Sequence, residues 1–167
     1  LQAGHPDTAP LIDELATTGR VIAALPDATW VHFACHAGAN LDAPSEGGLF
    51  LHDGTLRVAT IAKVQLAQAE LAYLSACSTA HSGIRNTDES INLASSFQLA
   101  GFRHVIASMW PLADSVAATA AQSFYRTLPD HPGADHAADT LRQVTLALRA
   151  EYPDRPDLWA PLIHTGP

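Results

Sequence analysis

The sequence predicts an α/β fold in which helices cover both faces of a mostly parallel sheet. Strand-like and helix-like segments alternate along 167 residues, of which 47% are hydrophobic. A chain of this length is the size of a single domain and can bury a sizeable core. No apolar run approaches the roughly 18 residues that a membrane-spanning helix needs. We therefore expect one domain over residues 1–167 and no membrane contact. Because the chain begins at Leu1 and not at Met, we also expect the C-terminal part of a longer protein.

The first half of the chain alternates a helix, a strand, a hairpin, a short helix and a second strand. Pro26 and Asp27 end the first helix, and the pair Asp53-Gly54 is a strong hairpin signal. The predicted bounds are 11–25 for the helix, 29–35 for the strand, 48–51 and 56–58 for the hairpin arms, 60–68 for the short helix and 71–76 for the second strand.

Helices predominate in the second half. Thr87 is a predicted N-cap, Asp88 and Glu89 complement the dipole of the same helix, and Gly101 ends it. Asp135 is the predicted N-cap of the last long helix. The predicted bounds are 87–101, 115–128 and 135–151 for helices, 103–109 and 162–164 for strands, and 81–86 and 130–133 for loops.

Two of the predicted strands end on reactive side chains, the first on His36 and the second on Cys77. If these strands are parallel neighbours, both residues emerge at the carboxyl edge of the sheet, where open α/β sheets bind ligands. A cysteine nucleophile needs a base to deprotonate it, and a histidine with an unperturbed pKa near 6.5 suits that task. The pattern therefore predicts a cysteine hydrolase.

Alternation along the strands assigns the remaining residues to faces. His32 shares a face with His36 and lies on the strand beneath it, whereas Cys35 points to the opposite face. We therefore interpret Cys35 as a buried small hydrophobic residue and not as a second nucleophile. Two residues of the second strand share a face with Cys77, namely Tyr73 and Ser75.

Charge and cysteine content restrict the function further. The net charge is −8, and the single lysine and eight arginines do not cluster, so direct nucleic-acid binding is not expected. Because the two cysteines lie on different strands and point apart, we expect no disulfide and a reducing cytoplasmic location.

Several ordered blocks together resemble the CHAT domain, a family of cysteine peptidases related to caspases and separase. The resemblance extends from about Thr29 to the end of the chain, and its blocks are His32–Ala37, Leu74–Thr79, Asp88-Glu89, Leu99–Asp114, Phe124-Tyr125 and Trp159-Ala160. It implies a caspase-like three-layer αβα sandwich. The caspase-like sheet has six strands and the sequence outside the hairpin provides four, so we expect the missing strands to precede residue 1.

The resemblance also implies a function. Cys77 would be the nucleophile of a cysteine endopeptidase and His36 its general base, with the backbone amides of Ala37 and Cys77 as the oxyanion hole. No acidic third member, cofactor or metal is expected. The expected partners are a protein or peptide substrate and regulatory repeat or NTPase-like segments, fused or separate.

The chain departs from the family pattern at two positions. The family usually has Gly after the histidine, where this chain has Ala37, and an acidic residue after the nucleophile, where it has Ser78. Alanine adopts a positive φ less readily than glycine, so we expect Gly38 to take that turn instead.

The resemblance to separase also assigns a role to Asp114. In separase, an aspartate at the corresponding place binds the arginine that precedes the cleaved bond. A carboxylate in a narrow pocket pairs with a guanidinium, so we expect cleavage after Arg and less strongly after Lys. Asp114 is equally suited to be the N-cap of the helix predicted at 115–128. The sequence leaves both roles open.

Two other functions stay open. Cys35, His36, Cys77 and His81 supply a possible zinc ligand set, although they lack the C-x2-C type of spacing and adjacent strand residues point to opposite faces. The second alternative is a catalytically inactive CHAT-like scaffold that recruits partners.

Overall fold

The computed structural model describes residues 9–38, 47–75, 77–78, 87–128 and 134–167, and for 77–78 and 87–92 it describes the backbone. Strands and helices alternate, as the sequence predicts. The strands are β1 Trp30–Phe33, β2 His36–Gly38, β3 Gly48–Leu51, β4 Gly54–Arg57, β5 Leu71–Leu74, β6 Cys77–Ser78, β7 His104–Ser108 and β8 Leu162–Thr165. The helices are α1 Thr18–Ala24, α2 Val58–Ile61, α3 Thr87–Ala100, α4 Asp114–Thr127, α5 Ala137–Glu151 and α6 Pro156–Trp159, and short 3-10 turns cover Asp13–Leu15 and Leu25–Asp27.

The main sheet has the strand order β1-β5-β7-β8. Strands β1, β5 and β7 run parallel, and β8 runs antiparallel to β7. Parallel neighbours need long crossover connections, and α3 lies in the one that leads to β7. The mostly parallel sheet and its helices confirm the predicted α/β class and are consistent with a caspase-like αβα sandwich.

Helices pack against both faces of the main sheet and produce three layers. On one face, Leu74 of β5 belongs to the same buried cluster as Phe97 of α3, and we call this cluster the α3-side core. On the opposite face, Tyr73 packs against Phe124 of α4, with ring centroids 5.2 Å apart. Neighbouring residues of β5 thus enter different cores, which is the period of two that a strand imposes.

A second, smaller sheet has the strand order β4-β3-β2-β6. Its hairpin, β3 and β4, turns at His52 and Asp53, and Gly54 follows with a φ of +142°. The hairpin is confirmed at the predicted place. The Asp53 carboxylate accepts hydrogen bonds from the backbone amide of Thr18 at 2.7 Å and from its hydroxyl at 3.0 Å, so the turn is tied to the start of α1.

Two helices are shorter than the sequence predicts. The Thr17 hydroxyl accepts a hydrogen bond from the amide of Arg20 at 3.4 Å, so α1 begins at Thr18 and not at residue 11. The helix predicted at 60–68 is a single turn, Val58–Ile61. Within the described ranges, no helix has both the length and the apolar character that crossing a membrane requires.

The predicted capping role of Asp135 is wrong. Helix α5 begins at Ala137, its N-cap is His136, and no side chain caps it. The Asp135 carboxylate instead accepts a hydrogen bond from Arg103 at 3.1 Å, and Arg103 also donates to Glu70 at 2.9 Å. Asp135 therefore forms an ion pair with Arg103, the residue before β7, and does not cap the helix. Other predicted features lie outside the described residues, namely the loops at 81–86 and 130–133 and the side chains of Thr87, Asp88 and Glu89.

Gly101 is a position where the fold requires glycine. It follows α3 with a φ of +123°, and a Cβ at this position would lie 2.4 Å from the backbone oxygen of Leu66. We expect Gly101→Ala to lower the free energy of unfolding by about 2 kcal/mol or more, measured by urea denaturation. The matched control is Gly19→Ala in α1, where an added Cβ meets no atom within 4 Å. This substitution should raise the free energy of unfolding by up to about 1 kcal/mol. Equal effects of the two substitutions would contradict this account of Gly101.

Candidate functional site

His36 and Cys77 are register partners on adjacent parallel strands. The ladder of β1 with β5 runs from Trp30 opposite Leu71 to Phe33 opposite Leu74. It stops there and resumes as β2 with β6, in which His36 lies opposite Cys77. The same offset of 41 residues separates the partners in both ladders. The prediction that the two strands are parallel neighbours is confirmed.

This register brings the two residues close at the backbone. Parallel strands lie about 4.8 Å apart, and directly paired residues project to the same face of the sheet. His36 is exposed to solvent, whereas Ala37 beside it is 8% exposed and pairs with Leu49 of β3. An exposed imidazole at the carboxyl end of the sheet is accessible to a substrate. The side chain of Cys77 lies outside the described atoms.

The predicted turn at Gly38 is wrong. Among the described residues, neither Ala37 nor Gly38 has a positive φ, because both lie in the extended strand β2. Glycine at position 38 makes room for a ring instead. A Cβ there would lie 2.3 Å from Cζ of Phe50. Alanine at position 37 therefore carries no backbone strain in this arrangement.

A polar pair lies beneath the two strand ends. Nε2 of His32 is hydrogen-bonded to Oγ of Ser75 at 2.9 Å. The His32 ring lies against Tyr73, with centroids 4.9 Å apart, and is stacked on Tyr125 at 5.6 Å. Burial lowers the pKa of His32 from 6.5 to about 4 and raises the pKa of both tyrosines. His32 is therefore neutral at physiological pH.

Cys35 lies in the short break between β1 and β2, where the predicted strand 29–35 ends early at Phe33. It is half-buried and packs on the α3-side core together with Phe33. Burial raises the pKa of its thiol to about 11, so the sulfur is protonated at neutral pH and is a poor nucleophile. The interpretation of Cys35 as a packing residue is supported.

The same geometry disfavours the zinc alternative. Cys35 packs into the core while its neighbour His36 is exposed, so the two side chains do not converge on one ion. Across the described part of the chain, no group of three or more histidine, cysteine, aspartate or glutamate residues has the arrangement of a metal site. His81 lies outside that part.

The structure removes one of the two roles predicted for Asp114. The residue is the first of α4, the N-cap is Ala113, and no side chain caps the helix. The capping role is therefore wrong. Asp114 is exposed and, within the described ranges, makes no hydrogen bond or ion pair. It follows the carboxyl end of β7, the strand adjacent to β5. Its substrate-binding role stays a prediction.

The link between His32 and Ser75 is the feature of the site that sequence reasoning missed. Alternation assigned each residue to a face, but the two are 43 positions apart in the chain. The signal that would have revealed it is the offset of 41 residues between His36 and Cys77. If the same offset holds for the earlier residues of both strands, it gives the register of His32. That offset pairs His32 with Tyr73 and brings Ser75 to the diagonal position.

Burial of His32 has a consequence for stability in acid. Its folded-state pKa is about 4, against 6.5 for an unperturbed histidine. Between these values the unfolded chain binds more protons than the folded chain, so stability falls as the pH falls. At about 1.4 kcal/mol per pKa unit, the loss from this residue reaches up to about 3 kcal/mol.

We expect His32→Phe to be less sensitive to acid than the wild type. The free energy of unfolding should fall less between pH 7 and pH 4.5, measured by urea denaturation at both values. Burial also lowers the pKa of His104 and His164, so the variant keeps part of the pH dependence. The control is Gln143→Ala, an exposed uncharged residue of α5 whose replacement should leave the pH dependence as it is. Identical pH dependence in wild type and His32→Phe would contradict the prediction.

Comparison with known families agrees with the motif resemblance. The family model described as CHAT domain matches residues 1–167, the entire sequence given. A search of curated proteins finds no match. The resemblance seen in the ordered motifs is therefore confirmed over the whole chain.

Proposed function

Because this chain belongs to the CHAT domain family, which is related to the caspase-like peptidases, we propose that it is a cysteine endopeptidase. Its proposed dyad is Cys77 as nucleophile and His36 as general base. The observation that carries the proposal is the register of β2 with β6, in which these two residues are direct partners. A base must come within hydrogen-bond reach of the thiol that it deprotonates. The register supports the proposal because it brings the two backbones to the spacing of neighbouring strands, about 4.8 Å.

The proposed reaction proceeds through a thioester. His36 accepts the proton of the Cys77 thiol while the sulfur attacks the carbonyl carbon of the scissile bond. The backbone amides of Ala37 and Cys77 hold the oxyanion of the tetrahedral intermediate. His36 then donates the proton to the leaving amine, and a water molecule hydrolyses the thioester. No metal or cofactor takes part in these steps.

Asp114 is the proposed specificity residue for cleavage after Arg, and less strongly after Lys. Three observations support this. Its carboxylate is exposed, it caps no helix, and it follows the strand next to the one that leads to Cys77. An exposed carboxylate can pair with a guanidinium in two parallel hydrogen bonds, which lysine cannot form.

We further propose that attached or separate repeat or NTPase-like segments regulate the site, as the family resemblance implies. The substrate would be a protein or a peptide. A cytoplasmic location is also proposed, because the two cysteines lie on different strands of the sequence and no disulfide between them is expected.

Cleavage-site mapping tests the proposed function. The complete protein and its Cys77→Ala variant are incubated with a peptide library, and new termini are identified by mass spectrometry. The proposal expects cleavage by the wild type, enriched after Arg, and none by the variant. Absence of cleavage by the wild type together with its proposed regulatory segments would favour the inactive scaffold.

A further inference from the structure

The strand pair that carries His36 and Cys77 is interrupted just before these residues. The regular ladder ends at Phe33 and Leu74 and resumes at His36 and Cys77. Between them, the amide of Ser75 donates a hydrogen bond to the carbonyl oxygen of Phe33 at 2.9 Å. A movement of one strand relative to the other at this interruption would change the distance between His36 and Cys77. A further bond between the two strands at this place would therefore help to hold that distance.

The side chains of His32 and Ser75 provide a second link at the same place. Nε2 of His32 and Oγ of Ser75 are 2.9 Å apart, which joins one strand to the other. Ser75 precedes Cys77 by two residues, and two residues of chain span at most about 7 Å. This bond is therefore close to the nucleophile, and it lies on the face to which alternation also assigns Cys77.

The environment of the pair makes the link rigid. Tyr73 and Tyr125 lie against the imidazole of His32 and restrict the movement of its ring. Both phenols and the imidazole are neutral at physiological pH. The other ring nitrogen, Nδ1 of His32, is buried and has no hydrogen-bond partner among the described residues. Loss of the Ser75 hydroxyl would thus leave a buried ring with neither nitrogen bonded.

We infer that His32 and Ser75 are positioning residues that hold Cys77 at the correct distance from His36. This inference rests on the proposed function, since it concerns the same two reactive residues. Neither residue is proposed to touch the substrate. Their effect is geometric, and a displacement of about 1 Å at a reacting group can lower a rate by roughly a hundredfold.

The test is a double-mutant cycle with two readouts. Ser75→Ala removes the hydroxyl, His32→Phe keeps an aromatic ring between the tyrosines but removes both nitrogens, and the double variant combines them. The first readout is the rate of Cys77 alkylation by iodoacetamide as a function of pH, which needs no peptidase activity. The second readout is kcat and KM for a cleaved peptide.

If the pair positions Cys77, the alkylation profile of each single variant should shift towards the ordinary thiol pKa of about 8.5. Each should lower kcat by roughly 10- to 100-fold with KM nearly unchanged. The double variant should lose no more than one single variant, because the two residues act through one bond. Ser75→Thr keeps the hydroxyl and should restore both readouts.

The matched control is Ser96→Ala. Ser96 is a buried serine of α3 whose hydroxyl donates to the carbonyl oxygen of Leu93 at 2.7 Å, within its own helix. This variant should leave both readouts within about twofold of the wild type, because the hydrogen bond of Ser96 stays within α3 and does not involve His32 or Ser75.

Two results would overturn the inference. One is an unchanged alkylation profile in Ser75→Ala, and the other is a double variant whose losses are the product of the single losses. A wild type that cleaves no peptide but whose Cys77 profile shifts in both single variants would reject the proposed peptidase function and support the positioning pair.

Discussion

Cys77→Ala and His36→Ala are each expected to lower kcat by about three orders of magnitude or more. The physical reason is that nucleophile and base act as one unit. Without the imidazole the thiol stays largely protonated, and without the sulfur no thioester forms. The two losses should therefore be of similar size, and the double variant should lose little more than either single variant. Peptide cleavage assays with the complete protein measure this.

The controls use the same residue types at other positions. Cys35→Ala removes the other thiol, which packs on the α3-side core, and His52→Ala removes an exposed histidine in the hairpin turn. Both variants should keep kcat within about threefold of the wild type, since neither side chain has a role in acyl transfer. If His36→Ala kept most of its turnover, the assignment of the base would be wrong.

Asp114→Asn is expected to lower kcat/KM for cleavage after Arg by roughly 10- to 100-fold. A hydrogen bond to a charged group contributes about 1.5–3 kcal/mol, and Asn removes the charge while keeping the size of the side chain. Asp114 caps no helix, so the melting temperature should stay nearly constant. Cleavage of matched peptides with Arg, Lys or an uncharged residue before the scissile bond measures the change.

Asp139→Asn is the matched control for that substitution. Asp139 is an exposed aspartate in the first turn of α5, as Asp114 is in α4, and it should have no effect on specificity. Unchanged cleavage after Arg in Asp114→Asn would reject its proposed role and leave it as a first-turn residue that complements the helix dipole.

The strands that lead to His36 and Cys77 are predictable because each is a short apolar run that ends on a polar, reactive residue. Their parallel direction in one sheet follows from the alternation of strands with helices. The register is not determined by the sequence of one strand alone. It depends on how β5 packs between β1 and β7, and the sequence gives no local sign of the interruption after Phe33 and Leu74.

Helix capping shows where local reasoning fails. An aspartate before a helix is a good N-cap by propensity, and both Asp114 and Asp135 satisfy that pattern. Asp135 instead pairs with Arg103, which is 32 positions away in the chain. The hydrogen bond between His32 and Ser75 spans 43 positions and depends on the register in the same way. Contacts between distant segments, which carry much of the candidate site, are thus the part that pattern and propensity do not provide.

Labelling with a peptide acyloxymethyl ketone tests the pairing of Cys77 with His36 most directly, because this reagent reacts with an activated thiolate and its site of attachment can be read by mass spectrometry. The wild type is compared with His36→Ala and with Cys35→Ala. We expect the label on Cys77 in the wild type and in Cys35→Ala, and a rate lower by orders of magnitude in His36→Ala. Label on Cys35, or equal labelling of Cys77 with and without His36, would contradict the proposed dyad.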